Sequence, residues 1–114
     1  VIVRDYKEVR QDDVAAEGAE GVKIRWLITE DDGAPGFALR EFELAPGGHT
    51  PYHAHDWEHE VFVLEGEGVV AGAEGERELR PGTAALVPPG EDHNFKNVGA
   101  GPFRFLCLVP HGAK

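Results

Sequence analysis

Apolar and polar residues alternate in short stretches along this chain, and glycine, proline and acidic residues separate the stretches. Residues 22–30 show it most clearly. Val22, Ile24, Trp26 and Ile28 fall on one side and Lys23, Arg25 and Thr29 on the other, with Leu27 the exception. A period of two belongs to an extended strand, whose successive side chains point to opposite faces. A turn sequence, DDGAPG, follows at 31–36, and residues 37–44 form the next predicted strand. Further strands are predicted over 59–65, 68–73, 76–80, 83–87, 93–98 and 102–109. Residues 1–6 add an edge strand or pair with a second subunit, and residues 12–20, closed by Gly21, are the one short helix expected. Many short strands divided by turn signals predict an all-β sandwich or barrel.

Two stretches depart from simple alternation. Residues 61–64 and 103–109 are apolar on both faces or nearly so. A sandwich with a solvated outside has no need of that, so burial of the outer face against another copy, a homodimer, is expected.

Composition narrows the picture further. With 114 residues and 41% hydrophobic content, the chain is read as one domain, 1–114, with a single core. Its 15 glycines and 8 prolines are spread through the sequence, which suits tight turns rather than disorder. The formal net charge of -10, without any basic cluster, excludes a nucleic-acid partner and disfavours anionic membranes. A lone cysteine, Cys107, rules out an internal disulfide and suits a reducing compartment. No apolar run reaches the ~20 residues of a membrane span, and the N-terminal stretch lacks the pattern of a signal peptide. A cytoplasmic location is the expectation.

Four of the six histidines fall in two groups: His53, His55 and His59 within GGHTPYHAHDWEHEVFVLEGEG, and His93 within PGTAALVPPGEDHNFKN. In a strand His53 and His55 would share a face, with about 7 Å of backbone between them, so both imidazoles could converge on one ion. His59 keeps that parity if the turn through Asp56 and Trp57 returns the chain in register. His93 would arrive from a distant strand. His49 and His111 fit neither group and are read as ordinary loop residues.

These residues carry a family resemblance. Gly47, five residues, His53-Ala54-His55, a further ligand position and Gly66 resemble the first cupin motif. Gly82, five residues, Pro88-Pro89-Gly90, His93 and Asn97 resemble the second. The motifs span 47–66 and 82–97, and the resemblance implies a double-stranded β-helix, or jelly-roll barrel, with a metal inside. Most metal-binding cupins place a glutamate after the two histidines. Here the spacing leaves two registers: His59 fits the distance to Gly66, whereas Glu60 lies one residue short of it. The sequence as a whole is similar to small single-domain manganese cupins with four histidine ligands. That similarity implies Mn2+ held by His53, His55, His59 and His93. Ligand softness alone favours zinc, copper, iron or nickel, so manganese rests on the resemblance.

Four neutral imidazoles would leave a divalent ion its full charge, a stronger Lewis acid than a carboxylate-ligated one. Four ligands on an octahedral ion also leave two positions for a chelating substrate, or for substrate and dioxygen. Near such an ion, Arg40 shares a strand face with Ala38, Phe42 and Leu44. It either anchors an anionic group of a small-molecule substrate, as a candidate catalytic residue, or forms a salt bridge to a glutamate such as Glu41. Phe95, Phe105 and Cys107 line the pocket or pack the core. Cys107, among apolar neighbours, is expected to stay a protonated thiol. Trp57 covers the site or shields its turn, Tyr52 faces away, and Glu58 and Glu60 are expected at the surface. The resemblance implies an oxidase or dioxygenase acting on a phenolic, enolic or alkene-containing compound. The alternatives are a non-catalytic binding module and a metal-assisted isomerase or decarboxylase.

Overall fold

The alternation of the sequence becomes alternating burial in the computed structural model, which describes residues 1–113. In β9 (Phe103–Pro110), Phe103, Phe105, Cys107 and Val109 are buried while the residues between them are only half so. In β4 (His59–Glu65), His59, Val61 and Val63 turn inward and Glu60, Phe62 and Leu64 outward. The remaining strands are β1 (Asp12–Asp13), β2 (Glu20–Ile28), β3 (Phe37–His49), β5 (Gly68–Gly72), β6 (Gly75–Leu79), β7 (Ala84–Val87) and β8 (Asn94–Asn97).

The main path of the sheet runs β6-β5-β8-β3-β9-β4-β7, with β2 also on β3 and β1 on β2. Every pairing is antiparallel. β3 is the strand that curls the sheet. Its first part, from Phe37 to Leu44, pairs with β9, and its last residue, His49, pairs with Lys96 of β8. Between them lies Ala45-Pro46-Gly47-Gly48, where Gly47 has a left-handed φ of 79°. One strand thus serves both halves of a jelly-roll β-barrel. Leu44, Val63, Phe103 and Phe105 are buried at its centre.

Two glycines make the closure possible. Gly66 has φ 88°, and a side chain there would run into the Pro102 carbonyl. A side chain on Gly68 would overlap the Phe103 ring. Asn97, from the second motif, locks the same end: its amide donates to the carbonyls of Leu44 (2.9 Å) and Gly101 (2.8 Å), and its oxygen accepts from Gly99 N (2.9 Å).

The structure corrects four expectations about elements. Residues 12–20 are not a helix. Asp12 and Asp13 pair with Ile24 and Lys23, Val14 N donates to Val22 O, and the chain turns at Gly18 with φ 87°. A nine-residue segment interrupted by glycine cannot repay helix nucleation, whereas the free edge of β2 offers ready partners. Residues 1–6 form no strand; the segment ends in a 3-10 turn, Tyr6–Glu8, capped by the Asp5 side chain. Finally, His53 and His55 do not lie in a regular strand, and only His53 makes an isolated bridge, to His93. His49, read as a loop residue, closes β3.

Candidate metal centre

The segment between β3 and β4 is irregular, and it is sewn to β8 and the turn before it by a short ladder. Thr50 N donates to Phe95 O (2.9 Å), Phe95 N donates to Thr50 Oγ1 (2.9 Å), and Asn94 Nδ2 donates to Thr50 O (3.2 Å). His53 and His93 exchange backbone hydrogen bonds of 3.1 and 3.0 Å, and Gly90 N donates to His55 O (2.8 Å). Residues 40 positions apart in sequence are therefore fixed side by side before any side chain is considered. His59, at the start of β4, is held opposite Val87 of β7.

The imidazoles converge. His53, His55 and His93 each present a nitrogen within 4.8 Å of the other two. The Nε2 atoms of His53 and His55 are 3.0 Å apart. His59 stands beside this triad, its Nε2 3.4 Å from His55 Nε2 and its ring centroid 5.2 Å from that of His93. Ligands at 90–109° around an ion with bonds of ~2.1 Å are separated by about 3.0–3.4 Å. The His53–His55 and His55–His59 spacings match that edge length.

Protonation also suits a cation. Burial first, then the Arg40 guanidinium, push His59 down to about 3. Burial and the neighbouring imidazoles lower His53 and His55 as well. Neutral rings are the binding form. His93 Nδ1 lies 2.9 Å from the Glu91 carbonyl, which can only accept, so Nδ1 carries a proton and Nε2 is the nitrogen left to face a cation. His55 Nδ1 is buried and, among the described residues, meets no partner at hydrogen-bond geometry. The donor set fits a divalent metal.

The cluster lies at a cavity of ≈ 950 Å³, walled by Phe42, Phe95, Phe105, Trp26 and Trp57. Trp57 stacks on His55, with centroids 4.4 Å apart and planes 6° from parallel, so it fixes a ring of the cluster. Tyr52 is exposed, as expected. Phe95 and Phe105 are both buried and both line the cavity, so lining and core packing coincide. Glu60 points outward opposite Leu86 and Leu108, on the far side of the sheet from the imidazoles. Glu58 is exposed too.

Arg40 also lines the cavity, and its proposed salt bridge to Glu41 is absent. The two residues are neighbours on one strand and face opposite ways. Glu41 is taken by Arg25 Nη1 (3.3 Å) and Arg104 Nε (2.9 Å) on the outer face. Arg40 makes no ion pair among the described residues. Its guanidinium lies over Trp26 (5.3 Å) and Phe42 (4.9 Å), and its Nη2 donates to Cys107 Sγ (3.0 Å) and sits 3.3 Å from His59 Nδ1. Cys107 is 2% exposed, and burial raises its thiol above the usual range, with Arg40 opposing that in part. This contact of Arg40, Cys107 and His59 left no trace in local spacing, because its members come from three strands.

A curled antiparallel barrel with imidazoles converging at its cavity defines a metal-binding class of small β-barrel. The Cupin_2 family model, described as a cupin domain, matches residues 40–109, and the chain belongs to that family. The fold and the histidine triad together indicate a divalent-metal site. Among solved structures, the chain is similar to the polyketide cyclase RemF from Streptomyces resistomycificus: TM-score 0.90 and 38% identity, covering 96% of this chain and 79% of that one. It also superposes on a cupin-2 domain from Rhodospirillum rubrum with TM-score 0.84 at 23% identity, covering 99% of this chain and 76% of the other, a likeness of fold. Among curated proteins it is 29% identical over 85 residues to the 1-methylthio-D-xylulose 5-phosphate methylsulfurylase of Rhodospirillum rubrum, or 75% of this chain and 54% of that protein. The chain spans about half the length of the curated relatives it matches.

Proposed function

We propose that this chain is a metal-dependent enzyme that binds a small enolic or phenolic compound at a divalent ion held by His53, His55, His59 and His93, and acts on its enolate. The observation that carries the reading is the convergence of imidazoles at the wall of an aromatic-lined cavity. Manganese is the first metal to test, on the resemblance to four-histidine cupins. Such an ion supplies Lewis acidity toward an oxygen donor.

The chain's own residues do the rest. Phe42, Phe95 and Phe105 offer flat apolar surface to a conjugated substrate and keep water from its carbon skeleton. Arg40 adds a cation without a carboxylate partner, which favours an anionic oxygen over a neutral one. With Glu58 and Glu60 turned outward, neither can act as the proton-donating acid that a decarboxylase of this kind would want. Similarity to a polyketide cyclase favours ring closure through an enolate of a polycarbonyl compound. Oxygenation of the same enolate is the second reading, favoured by the two positions that four ligands would leave on an octahedral ion, room for substrate and dioxygen together.

The test is anaerobic titration of the manganese-loaded protein with the β-diketone acetylacetone, followed by admission of oxygen. The expected result is an enolate absorption band that needs the metal, is lost in His93→Ala and persists in Glu60→Ala. A metal-loaded protein that gives no such band would sink the enolate reading. Oxygen uptake with the diketone would select oxygenation over ring closure.

A further inference from the structure

His59 differs from the other members of the cluster in what stands behind it. Its Nδ1 faces Arg40 Nη2 at 3.3 Å and Cys107 Sγ at 3.4 Å, and those two atoms are 3.0 Å apart. Arg40 Nε also reaches toward the Cys107 carbonyl at 3.5 Å, which with Trp26 and Phe42 keeps the guanidinium in place. A guanidinium donates hydrogen bonds and cannot accept one. Facing Arg40 alone, His59 would hold its lone pair on Nδ1 and its proton on Nε2, the nitrogen turned toward the other imidazoles. That tautomer cannot bind a cation through Nε2. A ring ligating through Nε2 carries its proton on Nδ1, and this N–H would then oppose an arginine N–H. His93 has no such conflict, since a carbonyl stands behind it.

A thiol can resolve the conflict because it both donates and accepts. We propose that Cys107 is a positioning residue that makes His59 competent as a ligand: its sulfur accepts hydrogen bonds from Arg40 Nη2 and His59 Nδ1 together. This inference rests on His59 being the fourth ligand. With no ion bound, Arg40 Nη2 donates to the sulfur and the S–H points at Nδ1. When Nε2 takes the cation, the His59 proton moves from Nε2 to Nδ1, the thiol rotates, and no proton is gained or lost overall. His53, His55 and His93 then form a standing triad, and His59 joins it only while Cys107 can accept.

The test is chelator-competition titration with Co2+ of the wild type, Cys107→Ala, Cys107→Ser, His59→Ala, the His59→Ala/Cys107→Ala pair and the Arg40→Met/Cys107→Ala pair. Imidazole 15N shifts of the metal-free proteins report the tautomer. Cys107→Ala is expected to weaken Co2+ binding about 10–100-fold, as loss of an orienting partner does. It should match His59→Ala and add nothing to it. Cys107→Ser should stay near the wild type, and removal of the competing donor in Arg40→Met/Cys107→Ala should restore most of the affinity. In the metal-free wild type and in Cys107→Ala alike, the 15N shifts should place the His59 proton on Nε2, the tautomer that an arginine N–H facing Nδ1 requires. Rescue by Arg40→Met separates this role from simple packing, which a second truncation would only worsen. Wild-type affinity in Cys107→Ala, or an equal further loss in the His59→Ala background, would overturn the inference. A wild-type affinity in His59→Ala would instead overturn the four-histidine reading beneath it.

Discussion

Protonation and metal binding compete for the same imidazole nitrogens, and the competition falls hardest on His59. Burial and Arg40 hold it at about 3, whereas in the unfolded chain a histidine titrates near its ordinary ~6.5. Between those values the unfolded state binds a proton that the folded state refuses. The stabilisation from a neutral His59 is therefore complete above about pH 6.5 and is lost as pH falls toward 3. One pKa unit corresponds to about 1.4 kcal/mol, so the full window is on the order of a few kcal/mol. Urea melts of the metal-free protein at pH 7, 5.5 and 4 should show the midpoint dropping more steeply in the wild type than in His59→Gln. Parallel slopes would mean that the ring is protonated inside the fold. At this scale much was legible, since spacing picked out the triad of His53, His55 and His93, and strand parity put His59 inward and Glu60 outward. The partners of Arg40 were not. Cys107 lies 67 residues away, and no local pattern can announce a contact across β3, β4 and β9.

The strands themselves were read with little error, because a half-buried sheet face forces a period of two. The failures fell where neighbours, not periodicity, decide the conformation. Residues 12–20 contain helix-tolerant residues, yet pairing with β2 wins. The outer face of β3 hides a second surprise. Glu41, a charged residue on the face expected to be solvated, is 1% exposed. Arg25 and Arg104 grip its carboxylate, and the Tyr6 ring lies 5.3 and 4.7 Å from their guanidiniums. The N-terminal segment, expected as a strand, works instead as a cover over this charged cluster, and Val9 O accepts from Arg25 Nε (3.1 Å). Removing the acid leaves two arginines close together without their counter-ion. Glu41→Ala should cost about 3 kcal/mol, the range for breaking one partner out of a buried pair. Denaturant unfolding checks this, and Co2+ affinity should be unchanged because Glu41 faces away from the imidazoles. A loss below about 1 kcal/mol would show that water already shares the cluster.

For the molecule as a whole, one consequence of the sequence remains exposed. The stretches that are apolar on both faces bury only one of them here. Phe62, Leu64 and Leu86 are 45, 37 and 61% exposed on the outer side of β4 and β7. Phe62 sits in register with Leu106, and Leu86 and Leu108 flank Glu60, so the surface is apolar apart from that one carboxylate. Apolar patches of this kind on small proteins are commonly covered by a partner. The occupant we propose is a second copy of the chain, since a two-fold contact asks only that one patch be complementary to itself. The N-terminal segment is a weaker candidate for exchange between copies, because Tyr6 is already engaged with its own chain's arginines. Light scattering on the purified protein should give about twice the chain mass of 12.4 kDa. Phe62→Glu/Leu86→Glu should give the single mass, because two copies would bring four carboxylates into an apolar contact. That variant should bind Co2+ as the wild type does, since both positions lie on the opposite side of the sheet from the cluster. A wild type that runs as a single chain at micromolar concentration would remove the second copy from the account, and the patch would need another partner.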